Sequence, residues 1–325
     1  MTAKLDRLPI LILYPHNRCN CRCVMCDIWK TDQSKEITAI DLERHLVDME
    51  RLGVEWVVFS GGEPLMHSDL FRLAKMLRAR SIRTTLLSTG LLVKRYATQI
   101  LSYIDDLVIS LDGPPEIHDA VRRVPGAFAS LSAGMMTLLE CKPEFPINVR
   151  CTVQKLNCSR LRDTARTARE LGARSVSFLA ADVTSTAFNR DTPWPVLKQD
   201  QISITASELP LLHKEVEALI LEEDCGGFVL ESPAKLRKVV DRFRARVGLS
   251  QPVAPLCNAP WVSAVVEADG VVRPCFFHPP VGSIANGDSL LQVLNGARAV
   301  AFRASLDVET NPTCAQCVCS LHYKT

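Results

Sequence analysis

The sequence lacks a long hydrophobic run, an excess of one charge and a high aromatic content. The longest apolar stretch near the start, Pro9 to Tyr14, is shorter than a signal-peptide core, and no run approaches the roughly 20 residues of a membrane-spanning helix. The 38 basic and 36 acidic residues nearly balance, and no basic run favours nucleic acid as a partner. These absences predict a soluble cytoplasmic protein that acts on a small molecule or a peptide, with no membrane or nucleic-acid partner.

Cysteine, in contrast, is abundant, with 13 among 325 residues. Four of them lie within residues 19–26 and five follow position 256. A reducing cytoplasm keeps ordinary thiols unpaired, so clustered cysteines indicate metal or redox chemistry. The two groups predict two metal centres.

Apolar runs alternate with amphipathic helical patterns between the two cysteine groups, an order that predicts a parallel sheet. Helices are predicted over 37–52, ending at Gly53, and over 160–171, ending at Gly172. The predicted strands are Ile10 to Tyr14, Val54 to Ser60, Ile82 to Ser88, Leu107 to Leu111, Ile147 to Val153 and Val176 to Ala180.

Six βα units are two fewer than a closed eight-stranded barrel needs. The pattern therefore predicts an α/β fold with an open, partial (βα)6 TIM-like barrel, although a doubly wound sheet has the same local signature. In both folds the site lies at the carboxyl ends of the strands. In the fifth predicted strand, polar and apolar residues alternate from 147 to 154, which indicates a lined cavity.

The remaining sequence divides the chain into three predicted parts. The barrel covers 1–182, and a connecting region with helices near 206–223 and 232–247 covers 183–256. Residues 257–325 are predicted to form a small α+β module, in which Asp269 and Gly270 occupy the turn of a hairpin.

The first cysteine group has the spacing Cys19-x3-Cys23-x2-Cys26, directly after the first predicted strand. This spacing resembles the signature of the radical S-adenosylmethionine (SAM) enzymes. The resemblance implies that three thiolates bind a 4Fe-4S cluster whose fourth iron stays open for SAM. Cys21 then has no ligand role. The alternative is a closed zinc or cluster site that uses all four cysteines.

Further matches to the same family follow the next strands. "SGGEP" at 60–64 is similar to the family motif that binds the SAM amino group, and an ordinary strand-to-helix turn is the alternative. The resemblance implies that five residues contact SAM: Gly61, Gly62, Glu63, Ser110 and Leu179. The alternative is that they are ordinary residues of a turn, a strand end and the core. Met25 stands where the family commonly has an aromatic residue, and its sulfur can still cover the adenine.

The second cysteine group resembles the auxiliary-cluster domain called twitch, a shorter form of SPASM. The resemblance implies one auxiliary 4Fe-4S cluster held by Cys257, Cys275, Cys314 and Cys317, with Cys319 competing for the last place. A structural zinc site with the same four cysteines is the alternative.

The family resemblance implies an oxidoreductase or epimerase that cleaves SAM to a 5'-deoxyadenosyl radical and removes a hydrogen atom from its substrate. The length and the spacing of the auxiliary ligands resemble those of the aminocyclitol dehydrogenase and related sugar-modifying members, which implies a sugar or aminocyclitol-like substrate that is dehydrogenated or epimerised. A peptide or protein maturase is the rival, and only 18 residues precede Cys19 where many maturases carry a recognition domain. A non-catalytic iron-sulfur electron carrier is a remote alternative. A reductase, flavodoxin or ferredoxin is the implied electron donor.

The predicted substrate-binding residues are Arg150 and Thr152, on the polar face of the fifth strand. His16, Arg122 and Arg123 are further candidates of lower rank. An arginine facing a cavity suits a carboxylate, phosphate or hydroxyl, and a structural salt bridge is the alternative. Five cysteines have no assigned ligand role, and an epimerase could use one as a hydrogen donor: Cys141, Cys151, Cys158, Cys225 and Cys319.

Overall fold

A single nine-stranded sheet organises the computed structural model, which describes residues 3–31 and 33–324. The strands are β1 (Ile10–Leu13), β2 (Trp56–Phe59), β3 (Arg83–Ser88), β4 (Asp106–Ser110), β5 (Ile147–Val153), β6 (Ser175–Ala180), β7 (Ser263–Val266), β8 (Val271–Arg273) and β9 (Gly282–Ser283). Their order across the sheet is β6-β5-β4-β3-β2-β1-β7-β8-β9.

The first six strands are parallel and lie in sequence order, so each βα unit is added beside the previous one. This order is that of a barrel, because a doubly wound sheet reverses its direction of growth part-way. The sheet does not close, since β6 and β9 lie at its two ends. The predicted α/β class and open six-unit barrel are confirmed.

Helices follow the strands and cover the outer face of the barrel. Those of the barrel are α1 (Ala39–Arg51), α2 (Leu70–Arg78), α3 (Ala97–Tyr103), α4 (Pro115–Arg122), α5 (Ala127–Cys141) and α6 (Leu161–Glu170). Those that follow are α7 (Val196–Ile202), α8 (Leu209–Glu222), α9 (Pro233–Arg246), α10 (Ala259–Val262), α11 (Leu290–Asn295), α12 (Ala297–Ser305) and α13 (Pro312–Ala315). Short 3-10 turns cover Ile28–Lys30 and Pro64–Met66.

Local sequence explains where α1 begins and ends. The side chain of Thr38 accepts a hydrogen bond from the backbone N–H of Asp41, whose carboxylate accepts one from the N–H of Thr38. This capping box satisfies N–H groups that have no partner within the helix. Gly53 follows the helix with a φ of +61°, the left-handed conformation typical of a helix C-terminus.

The C-terminal region joins the barrel through the sheet itself. β7 pairs in parallel with β1, and β8 and β9 extend the sheet by antiparallel pairing. The predicted hairpin is present, and Gly270 in its turn has a φ of +82°. The sequence therefore indicated the hairpin but not its partner strand, and the predicted domain boundaries remain a prediction.

The alternation predicted for β5 is observed, with odd-numbered residues from 147 to 153 buried and Asn148, Arg150 and Thr152 half-buried on the opposite face. Within the two described stretches, no single helix is long and apolar enough to cross a membrane. Only α4 and α5 taken together reach that length and composition, and a bend of 111° separates them.

Candidate active site and auxiliary metal centre

The loop that carries the first cysteine group is fixed to the C-terminal end of α4. The backbone N–H groups of Arg22 and Val24 donate to the carbonyls of Arg122 and Val121, at 3.1 and 3.0 Å. The last carbonyls of a helix have no partner within it, so the loop satisfies them. These two hydrogen bonds flank Cys23 and fix its position.

Burial, and after it the nearby Cys23, raises the pKa of two of the three predicted ligand thiols. Burial, chiefly, raises the pKa of Cys19 and of Cys26 to about 12. Cys23 differs, because a hydrogen bond from the Cys21 thiol and the charge of Arg122 lower its pKa to about 6. Cluster ligands bind as thiolates, so Cys23 is prepared for this role by its surroundings.

Neither cysteine group has the geometry of a single-ion site. Among residues 3–31 and 33–324, no three His, Cys, Asp or Glu side chains converge as the ligands of one metal ion would. Zinc requires its ligands within about 2.3 Å of one point, whereas a cluster of several irons holds its thiolates further apart. Iron-sulfur clusters take cysteine thiolates as ligands, so the donors present in both cysteine groups fit such clusters.

The Gly-Gly-Glu-Pro turn after β2 packs directly against the cysteine loop. A Cβ atom on Gly62 would lie 1.9 Å from the carbonyl oxygen of Arg18, and one on Gly61 would lie 2.9 Å from Cγ of Tyr14. The N–H of Glu63 donates to that same Arg18 oxygen at 2.9 Å. Glycine is thus required here because two backbone segments touch.

Glu63 is fully buried, and burial raises the pKa of its carboxyl group. Its oxygens accept hydrogen bonds from the hydroxyls of Ser88 and Thr89 and from the N–H groups of Leu65 and Thr89, at 2.6–3.1 Å. The side chain therefore joins the ends of β2 and β3. Its predicted contact with SAM remains a prediction, and the exposed part of the motif is the glycine backbone.

His16 stabilises the same junction from within. Its Nε2–H donates to the carbonyl of Glu63, and its Nδ1 accepts from the N–H of Arg18 at 3.1 Å, which assigns the tautomer. The ring is fully buried and burial lowers its pKa. Arg123, in turn, is an exposed left-handed residue at the end of α4. Both were predicted as substrate-side candidates of lower rank than Arg150 and Thr152, and that role remains a prediction.

Met25 contacts two polar residues whose roles the sequence did not reveal. Its sulfur lies 3.7 Å from Nε2 of Gln154, and its carbonyl accepts from Nη2 of Arg190 at 2.9 Å. Oε1 of Gln154 is buried and has no hydrogen-bond partner in the described chain, so it is free to accept from a bound molecule. The alternation of β5 extends to Gln154 and was its only sequence signal, whereas Arg190 lies in an irregular segment without one.

The other predicted site residues meet at the carboxyl ends of β4, β5 and β6. Ser110 pairs with Arg150 in the sheet register, and Thr152 pairs with Leu179. Nε of Arg150 donates to the hydroxyl of Ser177 at 3.3 Å. All four side chains are half-buried, and their roles toward SAM and substrate remain predictions.

All five C-terminal cysteines line one small cavity of about 70 Å³: Cys257, Cys275, Cys314, Cys317 and Cys319. Burial raises the pKa of Cys275 and of Cys314 to about 11, and Nε2 of His278 lies 3.3 Å from Sγ of Cys314. The Cys317 thiol donates to the carbonyl of Cys319 at 2.7 Å. The wall of the cavity thus supplies the predicted four ligands and one competitor, and the choice of Cys317 remains a prediction.

A larger cavity of about 570 Å³ is lined by residues that flank both cysteine groups along the chain, among them Asn17, Ile28 and Phe276. Residues 186–191 and the β7–β8 hairpin line one part of it, and the rest of its lining includes Gly62, Ile28, Lys30, Thr31, Gln33 and Lys35. Val265 and Phe276 line both this cavity and the cysteine-lined one. One layer of side chains therefore separates the two.

The pH dependence of stability should reflect His118 on α4. The ring is fully buried and its Nδ1 accepts from the N–H of Asp112 at 3.3 Å. Burial, with repulsion from Arg122, lowers the pKa of His118 from 6.5 to about 3. The unfolded chain therefore binds the proton more tightly than the folded chain. The contribution of neutral His118 to the free energy of unfolding is fully present above pH 6.5 and is lost as the pH falls toward 3.

We therefore expect His118→Gln to reduce the loss of stability between about pH 7.5 and 5.5. Chemical denaturation of the cluster-loaded protein across this pH range measures the free energy of unfolding. The control is His213→Gln, which changes an exposed histidine. An unchanged slope for His118→Gln would show that another group causes the acid sensitivity.

Comparison with protein families finds two matches along the chain. The model of the radical SAM superfamily matches residues 13–139, and that of SPASM, an iron-sulfur cluster-binding domain, matches residues 257–318. AdoMet-dependent heme synthase of Methanosarcina barkeri is 32% identical over 160 residues, 48% of this chain and 45% of that protein. Fe-coproporphyrin III synthase of the same organism is 26% identical over 280 residues, 80% and 68% of the two chains.

The Bacillus subtilis subtilosin biosynthesis protein AlbA is 24% identical over 278 residues, 83% of this chain and 55% of that protein. The chain spans about half the length of several of these curated relatives.

Solved structures show the same fold. Streptococcus suis SuiB bound to S-adenosylmethionine superposes with a TM-score of 0.68 at 16% identity, over 97% of this chain and 73% of that one. AnSMEcpe with bound AdoMet superposes with a TM-score of 0.64 at 19% identity, over 90% and 82%. The two matched domains imply SAM and 4Fe-4S clusters as cofactors. The chain therefore carries a radical SAM domain over residues 13–139 and a SPASM iron-sulfur domain over residues 257–318.

Proposed function

We propose that this radical SAM enzyme removes a hydrogen atom from a small polar molecule bound in the cavity of about 570 Å³, called the substrate cavity from here on. The reaction oxidises the molecule, and dehydrogenation is favoured over epimerisation. When bound, the cluster at Cys19, Cys23 and Cys26 supplies reductive cleavage of SAM to a 5'-deoxyadenosyl radical, and the auxiliary cluster supplies a second redox centre. The observation that carries the proposal is the wall of Val265 and Phe276 shared by the two cavities.

The size and lining of the substrate cavity support a small polar substrate. Its 570 Å³ lies within the usual range of about 300–1,000 Å³ for small-molecule sites. Glu267 and Arg273 form an ion pair at 2.7 Å on its wall, and Lys35 and Asp269 form another at 3.3 Å. Such charged groups suit the hydroxyl and amino groups of a sugar or aminocyclitol.

Aromatic side chains complete the wall of the substrate cavity. Tyr14 stacks on Phe276 with ring centroids 6.2 Å apart, and Phe188 is a further lining residue. Burial raises the pKa of Tyr14 far above its usual value, so its hydroxyl stays protonated and can donate a hydrogen bond. These rings exclude water from the end of the cavity next to the auxiliary site.

A peptide substrate is the second candidate, because AlbA aligns with 83% of this chain and SuiB has been solved bound to its precursor peptide SuiA. A tetrapyrrole is a third, since Fe-coproporphyrin III synthase aligns with 80% of the chain. Incubating the reduced enzyme with each class and measuring 5'-deoxyadenosine separates the three. We expect a polar sugar-like compound to stimulate its formation most.

The electron donor and the cellular location belong to the same proposal. Cys19 lines an open cavity together with Arg22, Trp29 and Lys30, two of which carry positive charge. These charges suit an acidic flavodoxin- or ferredoxin-type donor. A cytoplasmic location agrees with the thiol-rich composition.

Cys314→Ala tests the role of the auxiliary site. We expect it to lower the iron content by about four per chain and to keep SAM cleavage, while the oxidised product is lost. Iron analysis, 5'-deoxyadenosine formation and product mass measure the three effects. The matched control is Cys158→Ala, which removes a buried thiol outside both cysteine groups. Undiminished product from Cys314→Ala would contradict the proposed oxidation.

A further inference from the structure

A buried ion pair lies directly behind the loop of the first cysteine group. Nη2 of Arg122 is 2.6 Å from Oδ2 of Asp112, and the two side chains are 7% and 0% exposed. Nη1 of the same arginine donates to Sγ of Cys23 at 3.5 Å. One guanidinium therefore joins a buried carboxylate to the sulfur of a predicted cluster ligand.

The surrounding backbone holds this arrangement in place. Oδ1 of Asp112 accepts from the N–H of Thr152 on β5 at 3.1 Å, and the Asp112 carbonyl accepts from Nδ2 of Asn157 at 3.0 Å. The cysteine loop is in turn bound through its own N–H groups to the carbonyls at the end of α4. Neither the carboxylate nor Cys23 can move away from the arginine without breaking these hydrogen bonds.

The ion pair is oriented with its positive end toward Cys23. Charge interactions are strong where water is excluded, and hydrogen bonds to cluster sulfurs help to set reduction potentials. Reduction adds a negative charge to the cluster, so the guanidinium stabilises the reduced form. The carboxylate lies behind the guanidinium and opposes this effect. The two residues should thus act in opposite directions on one equilibrium.

We propose that Arg122 is a positioning residue that makes the SAM-binding cluster easier to reduce, and that Asp112 limits this effect. The inference rests on the proposed function, since it requires a cluster at Cys23. A low-potential one-electron donor provides the electron, and the step adds one electron to the cluster without making or breaking a bond in the protein.

Redox titration of the cluster-loaded protein, followed by electron paramagnetic resonance without SAM or substrate, tests the proposal. At a fixed potential we expect Arg122→Met to lower the ratio of reduced to oxidised cluster about tenfold, a shift of 59 mV for one electron. Asp112→Asn should raise that ratio, and the double variant should lie between the two. Arg122→Lys, which keeps the charge, should lie nearer the wild type than Arg122→Met.

A purely structural role predicts a different pattern, in which both single variants lose iron or change the ratio in the same direction. Either result, or unchanged ratios at full iron content, would overturn the proposal. Arg162→Met is the control, because Arg162 on α6 pairs with Glu215 on α8 and should leave the ratio unchanged. If Arg122→Met does not retain iron, Asp112→Asn and Arg122→Lys decide the question. Wild-type protein without iron at this site would instead contradict the proposed function.

Discussion

Cys23→Ala is expected to abolish SAM cleavage and to lower the iron content from about eight to about four per chain. Cys23 lies between two backbone hydrogen bonds to α4, and Arg122 and the Cys21 thiol both donate to its sulfur. The hydrogen bond from Cys21 and the charge of Arg122 lower the pKa of Cys23, which favours its thiolate form. Iron analysis and chromatographic detection of 5'-deoxyadenosine measure both effects.

Cys21→Ala is the matched control for this change. Cys21 is buried two residues away, and the resemblance to the family leaves it without a ligand role. The substitution removes one hydrogen-bond donor to Cys23 and should leave the iron content and most of the SAM cleavage intact. Equal loss in the two variants would mean that the ligand assignment of this loop is wrong.

Gly62→Ala is expected to reduce SAM cleavage about 100-fold or more, because misplacing a reacting group by about 1 Å has an effect of that size. The added Cβ would lie 1.9 Å from the carbonyl oxygen of Arg18, which is backbone and cannot rotate away. The cysteine loop or the Gly-Gly-Glu-Pro turn must then shift. Initial rates of 5'-deoxyadenosine formation at saturating SAM measure the loss.

Gly126→Ala separates this steric effect from backbone strain. Gly126 has a φ of +75°, which alanine adopts at a cost of about 1 kcal/mol, but a Cβ there would meet no atom within 4 Å. We expect lower thermal stability and normal SAM cleavage for this variant. Normal cleavage by Gly62→Ala as well would show that the close contact at Arg18 has no role in the reaction.

Much of the barrel was predictable because its signals are local. The six parallel strands are short runs rich in Val, Ile and Leu, and each lies within two residues of its predicted bounds. The helix α1 ends just before Gly53, because glycine easily adopts the left-handed conformation found there. The two cysteine groups were recognisable because ligand spacing within one loop is a sequence property.

Long-range contacts were not predictable in this way. The pairing of β7 with β1 joins strands about 250 residues apart, and no local pattern specifies it. The sequence suggested Arg122 as a lower-ranked substrate-side candidate, and its contacts with Asp112 and Cys23 became visible only in the structure. Glu63 was predicted from its motif, but its four hydrogen-bond donors come largely from β3 and the turn after it. Such contacts depend on how separate elements pack.

The most direct test of the account is one measurement on anaerobically reconstituted protein: iron content together with SAM cleavage in the presence of a low-potential reductant. Two clusters predict about eight irons per chain and formation of 5'-deoxyadenosine and methionine. Zinc in place of iron, or no cleavage while the first cluster is intact, would contradict the account.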